Sequence, residues 1–148
     1  MNLTDPYSAG MFDKNPYVMK NDVKGKIITI LDGKIEERGL SLIKQISRCV
    51  CKNEIHELII TDEEAGPGSQ VNKVAYLGFM EIEQGSVMVA GDTLTVADKL
   101  IGTVAGFDET HMPNHLNIVI KSAARQTGVE LSVQLGDSCV FRQYGLHK

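Results

Sequence analysis

Val87-Met-Val-Ala-Gly-Asp-Thr-Leu-Thr-Val-Ala-Asp-Lys-Leu-Ile-Gly-Thr-Val-Ala-Gly-Phe107 is the stretch that decides the fold. It holds three short runs of apolar and β-branched residues, Val87–Val89, Thr93–Val96 and Leu100–Phe107, with turn residues between them. Such runs at short, regular spacing read as strands of a sheet that closes or sandwiches on itself. Downstream, Asn117–Lys121, Glu130–Leu135 and Cys139–Phe141 read the same way. In Glu130–Leu135 the alternation is clean, with Leu131, Val133 and Leu135 on one side and Glu130, Ser132 and Gln134 on the other. Upstream, Val23–Leu31 is a β-branched run that stops at Asp32-Gly33, a turn dipeptide. Glu57–Thr61 and Val74–Ile82 are further apolar strands, and Asp62–Ser69, with two glycines and a proline, is a loop. Leu40–Cys51 is ambiguous: Leu40, Ile43 and Ile46 have near-helical spacing, while Ile46–Val50 reads as extended. The expectation is an all-β chain, a small closed or nearly closed β-barrel with at most one or two short helices.

The sequence carries an internal echo. Val89-Ala-Gly-Asp-Thr-Leu-Thr-Val96 resembles Gln134-Leu-Gly-Asp-Ser-Cys-Val-Phe141. In both, a Gly-Asp corner precedes a strand; Gly permits positive φ, and Asp can bond its own backbone across the turn. Two such corners suggest pseudo-symmetric halves, although Gly-Asp is also a common turn dipeptide.

The chain has 148 residues, the size of one domain, and can bury a substantial core without disulfide or metal. Its 43% hydrophobic and 23% charged residues are ordinary globular composition. A net charge of −4, with no Lys/Arg run, gives no electrostatic case for nucleic acid. Trp is absent and aromatics are 5%, so stacking platforms have little to be built from. No run approaches a membrane span, and the N-terminus lacks signal-peptide features. Three sparse cysteines fit free thiols and a cytoplasmic location. Residues 1–22 read as an irregular arm before a single domain over 23–148. Tyr7, Met11, Phe12, Tyr17 and Met19 make the arm apolar enough to dock on a second copy, so a homo-oligomer is expected; a plain tail is the competing reading.

The densest polar cluster is Gly106-Phe-Asp-Glu-Thr-His-Met-Pro-Asn-His-Leu-Asn117. Asp108, Glu109, His111, Asn114, His115 and Asn117 are the candidate binding residues. Pro113 disfavours a helix, so His111 and His115 are not a one-face helical metal pair. In extended chain they would lie about 13 Å apart, so chelation would need a turn and a third ligand. Neither a tightly bound metal nor a cofactor is expected. The competing reading is a loop whose Asp, Asn and His side chains cap backbone groups. Three other stretches are weaker. Thr61–Gln70 lacks the Lys of a phosphate loop and carries three acids. Cys49-Val-Cys51 would place both thiols on one strand face; buried, inert cysteine is the default, with a reactive thiol beside Arg48 and Lys52 as the alternative. Cys139 reads as core. Glu54-Ile-His56-Glu57 lacks the second His of a zinc-protease helix and reads as a surface or strand-end histidine.

Two runs, Glu57-Leu-Ile-Ile-Thr-Asp-Glu-Glu-Ala-Gly-Pro-Gly-Ser-Gln-Val-Asn-Lys-Val-Ala-Tyr-Leu-Gly-Phe79 and Val104-Ala-Gly-Phe-Asp-Glu-Thr-His-Met-Pro-Asn-His-Leu-Asn-Ile-Val119, resemble an uncharacterised bacterial family of unknown function. The resemblance spans Val23 to Phe141. Parts are distantly similar to the D-proline and glycine reductase proproteins of amino-acid-fermenting anaerobes and to their small companion proteins. Those proproteins cleave themselves at a cysteine to form a pyruvoyl group; Ser47-Arg-Cys49 and Ser138-Cys139 do not match that motif, so only the scaffold and the His111–Asn117 loop carry over. Gln84 to Phe107 is also similar to the glucitol/sorbitol-specific enzyme IIA of the sugar phosphotransferase system, which implies a small β-barrel. That family carries phosphate on a histidine, and Asn72–Leu77 in the comparable stretch has none. These resemblances imply a small-molecule- or partner-binding accessory protein of anaerobic amino-acid metabolism, with reductase subunits as possible partners. The rivals are an enzyme using the Asp108–His115 loop for acid–base or metal chemistry, and a structural subunit of a reductase complex.

Overall fold

The computed structural model of the protein describes residues 20–143. All regular structure among the described residues is β; no helix forms. In chain order the strands are β1 (Val23–Ile30), β2 (Lys34–Ile35), β3 (Leu40–Ser41), β4 (Ser47–Val50), β5 (Ile55–Thr61), β6 (Gln70–Val71), β7 (Val74–Gln84), β8 (Ser86–Val89), β9 (Thr93–Val96), β10 (Lys99–Asp108), β11 (Asn117–Lys121) and β12 (Ser138–Arg142). Seven of them hydrogen-bond into a closed ring, β1-β12-β9-β10-β11-β5-β7 and back to β1. Closure removes the free edges that would otherwise template aggregation. β2 extends β7, and two ribbons, β3–β6 and β4–β8, stand beside the ring.

Side-chain alternation sorts the apolar residues into two cores. Leu58 and Ile60 of β5 and Ile118 and Ile120 of β11 join the main core with Ile27, Met80, Leu94, Val104, Phe107 and Phe141. Ile59 and Val119 turn the other way and form a second core with Leu40, Leu42, Val71, Val74 and Ala105. The β3–β6 ribbon and the chain next to it, with Leu40, Leu42 and Val71, thus cover the outside of the ring. That is why Leu58-Ile-Ile60 is apolar without alternation: both of its faces are buried.

The internal echo has a structural counterpart. Gly91 (φ +97°) and Gly136 (φ +87°) make matching left-handed corners. Asp92 Oδ2 accepts from Val89 N at 2.9 Å, and Asp137 Oδ2 accepts from Gln134 N at 2.8 Å. Each corner is clamped to a distant strand in the same way. Gly91 N donates to Val104 O while Val104 N donates to Asp92 O; Gly136 N donates to Ile27 O while Ile27 N donates to Asp137 O. Gly25 and Gly102 are equivalent too, opposite Cys139 and Leu94. Past Ile27 and past Val104 the pairing with β7 and with β11 is bulged at the same step. β1, β7 and β9 therefore repeat as β10, β11 and β12 about a pseudo-two-fold axis between β9 and β12. β5 lies where that axis leaves the ring. A two-fold crossing a strand reverses it, so one strand there must break the symmetry: β5 is parallel to β11 and antiparallel to β7.

Several sequence expectations are corrected. Glu130–Leu135 is a run of turns, not a strand, and Leu135 is 69% exposed. Thr127 and Glu130 cap each other, Thr127 N donating to Glu130 Oε1 and Glu130 N to Thr127 Oγ1, which coils the backbone despite its alternation. Asp32-Gly33 does not reverse the chain. Both β1 and β2 run along β7, with Leu31 N bonded to Leu77 O and Tyr76 N to Gly33 O across the interruption. Leu40–Ile46 has no helix; Leu40 and Leu42 alternate into the outer core. The second Gly-Asp corner follows turns rather than a strand end. The N-terminal arm lies outside the described residues except for Lys20–Asp22.

Candidate functional site

The 109–116 connection between β10 and β11 begins and ends on buried polar residues. Asp108 is 1% exposed. Its Oδ1 accepts from Thr110 N and Asn117 Nδ2, and its Oδ2 accepts from Ser41 N at 2.9 Å. Burial works to raise the Asp108 carboxyl, but bonds from Thr110, Ser41 and Asn117 outweigh it and hold the group below the usual carboxylate range. Asp108 thus anchors the loop. Glu109 forms an ion pair with Arg48 of β4. Asp108, at 1% exposed, does not share the solvent-facing surface of His111.

The histidines do converge. Met112 N bonds Glu109 O, and Asn114 N and His115 N both bond His111 O, so the loop is coiled. The Met112–Pro113 peptide is cis. The His111 and His115 rings lie 5.0 Å apart. His115 is packed edge-on to Phe79 at 5.1 Å, and its Nδ1 lies 2.9 Å from Asn114 Nδ2. An amide N–H there makes Nδ1 an acceptor and leaves the ring proton on Nε2. That Nε2 sits 3.5 Å from Glu57 Oε1.

Glu57 was not among the candidates from sequence. It heads the doubly buried run of β5, in register with Asn117 on β11 and Phe79 on β7. Alternation puts Glu57 and Asn117 on the outer-core face with Ile59 and Val119. Glu57 is 8% exposed. Burial pushes its carboxyl up, against the pull of the Arg38 guanidinium, which itself donates to Tyr76 Oη. Burial pushes the His115 imidazole down, helped by His111 and His56 and opposed by Asn117. Among the described residues, His115 Nε2 and Asn117 Oδ1 are both buried atoms without a hydrogen-bond partner. The missed signal was a charged residue at the head of a strand buried on both faces, where ionised side chains are rare.

His56 is buried, not on the surface, though it does lie near a strand end. Its Nδ1 accepts from Leu116 N and its Nε2 lies 3.1 Å from Glu54 Oε1, so it closes the end of the loop from inside. Cys49 and Cys51 are exposed, not buried, whereas Cys139 is core, with its thiol pushed up to about 12 by burial. The Gly66–Ser69 turn is closed by the Ser69 hydroxyl, and Glu63 caps Asn72 N and Lys73 N, so this acidic loop is internally committed.

Among the described residues no group of three or more His, Cys, Asp or Glu is placed to hold a metal ion. No helix there is long and apolar enough to cross a membrane. An open hollow of about 590 Å³ lies at the far end of the β10–β11 hairpin, lined by Asp62, Glu64, Leu100, Gly102, Lys121 and Ser122. Its Lys121 and Glu64 neutralise each other at 2.6 Å, so the chemistry favours the Glu57–His115 cluster instead. No curated protein and no solved structure matches the chain. One family model does, over residues 17–142, and by that match the chain belongs to the family of unknown function DUF6917.

Proposed function

We propose that this chain is a binding accessory protein of anaerobic, reductase-type amino-acid metabolism. In this reading it acts in the cytoplasm as a homo-oligomer joined through residues 1–22. Its site is built on Glu57, His111, Asn114, His115 and Asn117. One observation carries the assignment of the site: the buried Glu57 carboxylate faces the half-buried His115 imidazole, whose Nε2, like Asn117 Oδ1, lacks a hydrogen-bond partner among the described residues. Each such atom costs about 1–3 kcal/mol. An incoming N–H donor, such as a primary ammonium, recovers the loss at Asn117 Oδ1 by donating to it and to Glu57; the protonated His115 Nε2 is itself a donor and gains nothing from it. Glu57 here takes the amine-pairing role.

A second reading, an acid–base enzyme on the same site, is favoured by the opposed shifts. Glu57 is pushed up and His115 down, which brings two groups with ordinarily separate proton affinities closer together. The test for binding is NMR of 13C-labelled histidine side chains during titration with a panel of amino acids and primary amines. The expected result is a saturable shift of the His115 signal that is lost in Glu57→Gln. No shift with any member at millimolar concentration overturns the amine reading. Conversion of a bound member over hours supports the enzyme instead. Light scattering of the full chain against a chain lacking residues 1–19, which keeps the Lys20–Asp92 pair, tests the oligomer, which is rejected if the full chain stays monomeric at high micromolar concentration.

A further inference from the structure

Cys49 and Cys51 lie outside the cluster just described, and nothing in the fold uses their thiols. Both are free and exposed, while Val50 between them is buried at 4%. Cys49 lies in β4 and Cys51 directly follows its last residue, Val50; with Val50 turned inward, the two flanking thiols are both on the outward side. The backbone that carries them is clamped. Cys49 pairs with Val87 and Val50 with Ser86 in the β4–β8 ribbon. Cys51 N donates to Glu54 Oε1 and Cys51 O accepts from Glu54 N. Gly85 packs flush on the same segment: a Cβ there would meet Val50 O at 2.6 Å and the Cys51 Cα at 3.1 Å.

We propose that Cys49 and Cys51 form a two-thiolate site for a soft monovalent d10 cation of the Cu(I) class. Cα atoms two apart in a strand are separated by about 6.7 Å. With thiolate–metal bonds of about 2.3 Å, a linear S–M–S unit spans roughly 4.6 Å. Two side chains on one face reach that span by tilting toward each other, with no change in the clamped backbone. Two thiolates satisfy a linear d10 ion, so no third ligand is required; soft sulfur selects such ions over the hard divalent cations. On binding, both thiols release their protons to solvent. The resulting monoanion lies beside exposed Lys52. The third thiol is no competitor, because Cys139 is fully buried.

The test uses the full chain, reduced and anaerobic, competing with bicinchoninate for Cu(I). The expected result is one Cu(I) per monomer, with affinity reduced at least tenfold in Cys49→Ser and in Cys51→Ser. Because both residues are exposed, thermal unfolding of the metal-free variants should match that of the parent, which separates loss of the site from loss of the fold. Undiminished copper uptake in either single variant overturns the site. So does native mass spectrometry showing one copper shared between two chains.

Discussion

Asn114 and Glu57 hold opposite edges of one imidazole: Asn114 Nδ2 lies 2.9 Å from His115 Nδ1, and Glu57 Oε1 lies 3.5 Å from Nε2. The two come from a loop and from a strand far away in sequence. Asn114 sets the tautomer of His115, while burial, with His111 and His56, lowers its proton affinity.

Replacing Glu57 by Gln should stabilise the protein at alkaline pH. Burial raises the Glu57 pKa above its unfolded value, so the folded state favours the neutral acid. Its contribution is greatest below the unfolded pKa and is lost as pH rises through the folded one. Gln keeps the neutral form at every pH. Urea unfolding should show a gain of about 1 kcal/mol at pH 8 that vanishes near pH 4. A loss of stability at pH 8 would mean that the ionised carboxylate is held by its neighbours.

Asp108 should behave in the opposite way. Its pKa is lowered in the folded state, so its contribution is present above the unfolded value and lost as pH falls through the folded one. Asp108→Asn places an amide against donors from Ser41, Thr110 and Asn117. The expected cost is about 2–3 kcal/mol at pH 7, shrinking in acid. A variant as stable as the parent at pH 7 would remove Asp108 as the anchor of the loop.

The pseudo-symmetry predicts paired sensitivities. A Cβ at Gly25 would lie 2.6 Å from Glu81 O, and one at Gly102 would lie 2.1 Å from Lys121 O, in both cases against backbone. Gly25→Ala and Gly102→Ala should each cost more than about 3 kcal/mol, because ring strands cannot separate without losing their ladder. Gly66→Ala, with nothing within 4 Å, is the control and should leave the melting temperature nearly unchanged. Tolerance of either ring substitution would contradict the close strand approach.

Lys20 and Asp92 form a buried ion pair at 2.8 Å, with side chains 4% and 1% exposed. Lys20→Met leaves Asp92 buried without its cation. The expected loss is about 3 kcal/mol at pH 7.5. Burial already raises the Asp92 pKa, so the loss should diminish at pH 4.5 as the acid protonates. Chemical denaturation at the two pH values checks the sign; a loss that grows in acid would contradict the uncompensated-charge account.

Local pattern alone specified the all-β class, the strand runs Val23–Leu31 (β1 ends at Ile30), Thr93–Val96 and Asn117–Lys121, the Asp62–Ser69 loop and the doubled Gly-Asp corner. Those features rest on side-chain alternation, β-branching and glycine, which act over a few residues. Glu130–Leu135 shows the limit: its alternation is real, but the Thr127–Glu130 cap is a stronger local device and coils it. Ring closure, the parallel β5–β11 junction and the outer core were decided by tertiary structure, since pairing partners lie tens of residues apart and no local pattern encodes register between them. The site divides in the same way. His111, His115 and Asn117 were legible as a dense polar run. Glu57 was not, because its chemistry arises only when the fold buries it beside His115, and burial is a property of the assembled neighbours rather than of the residue.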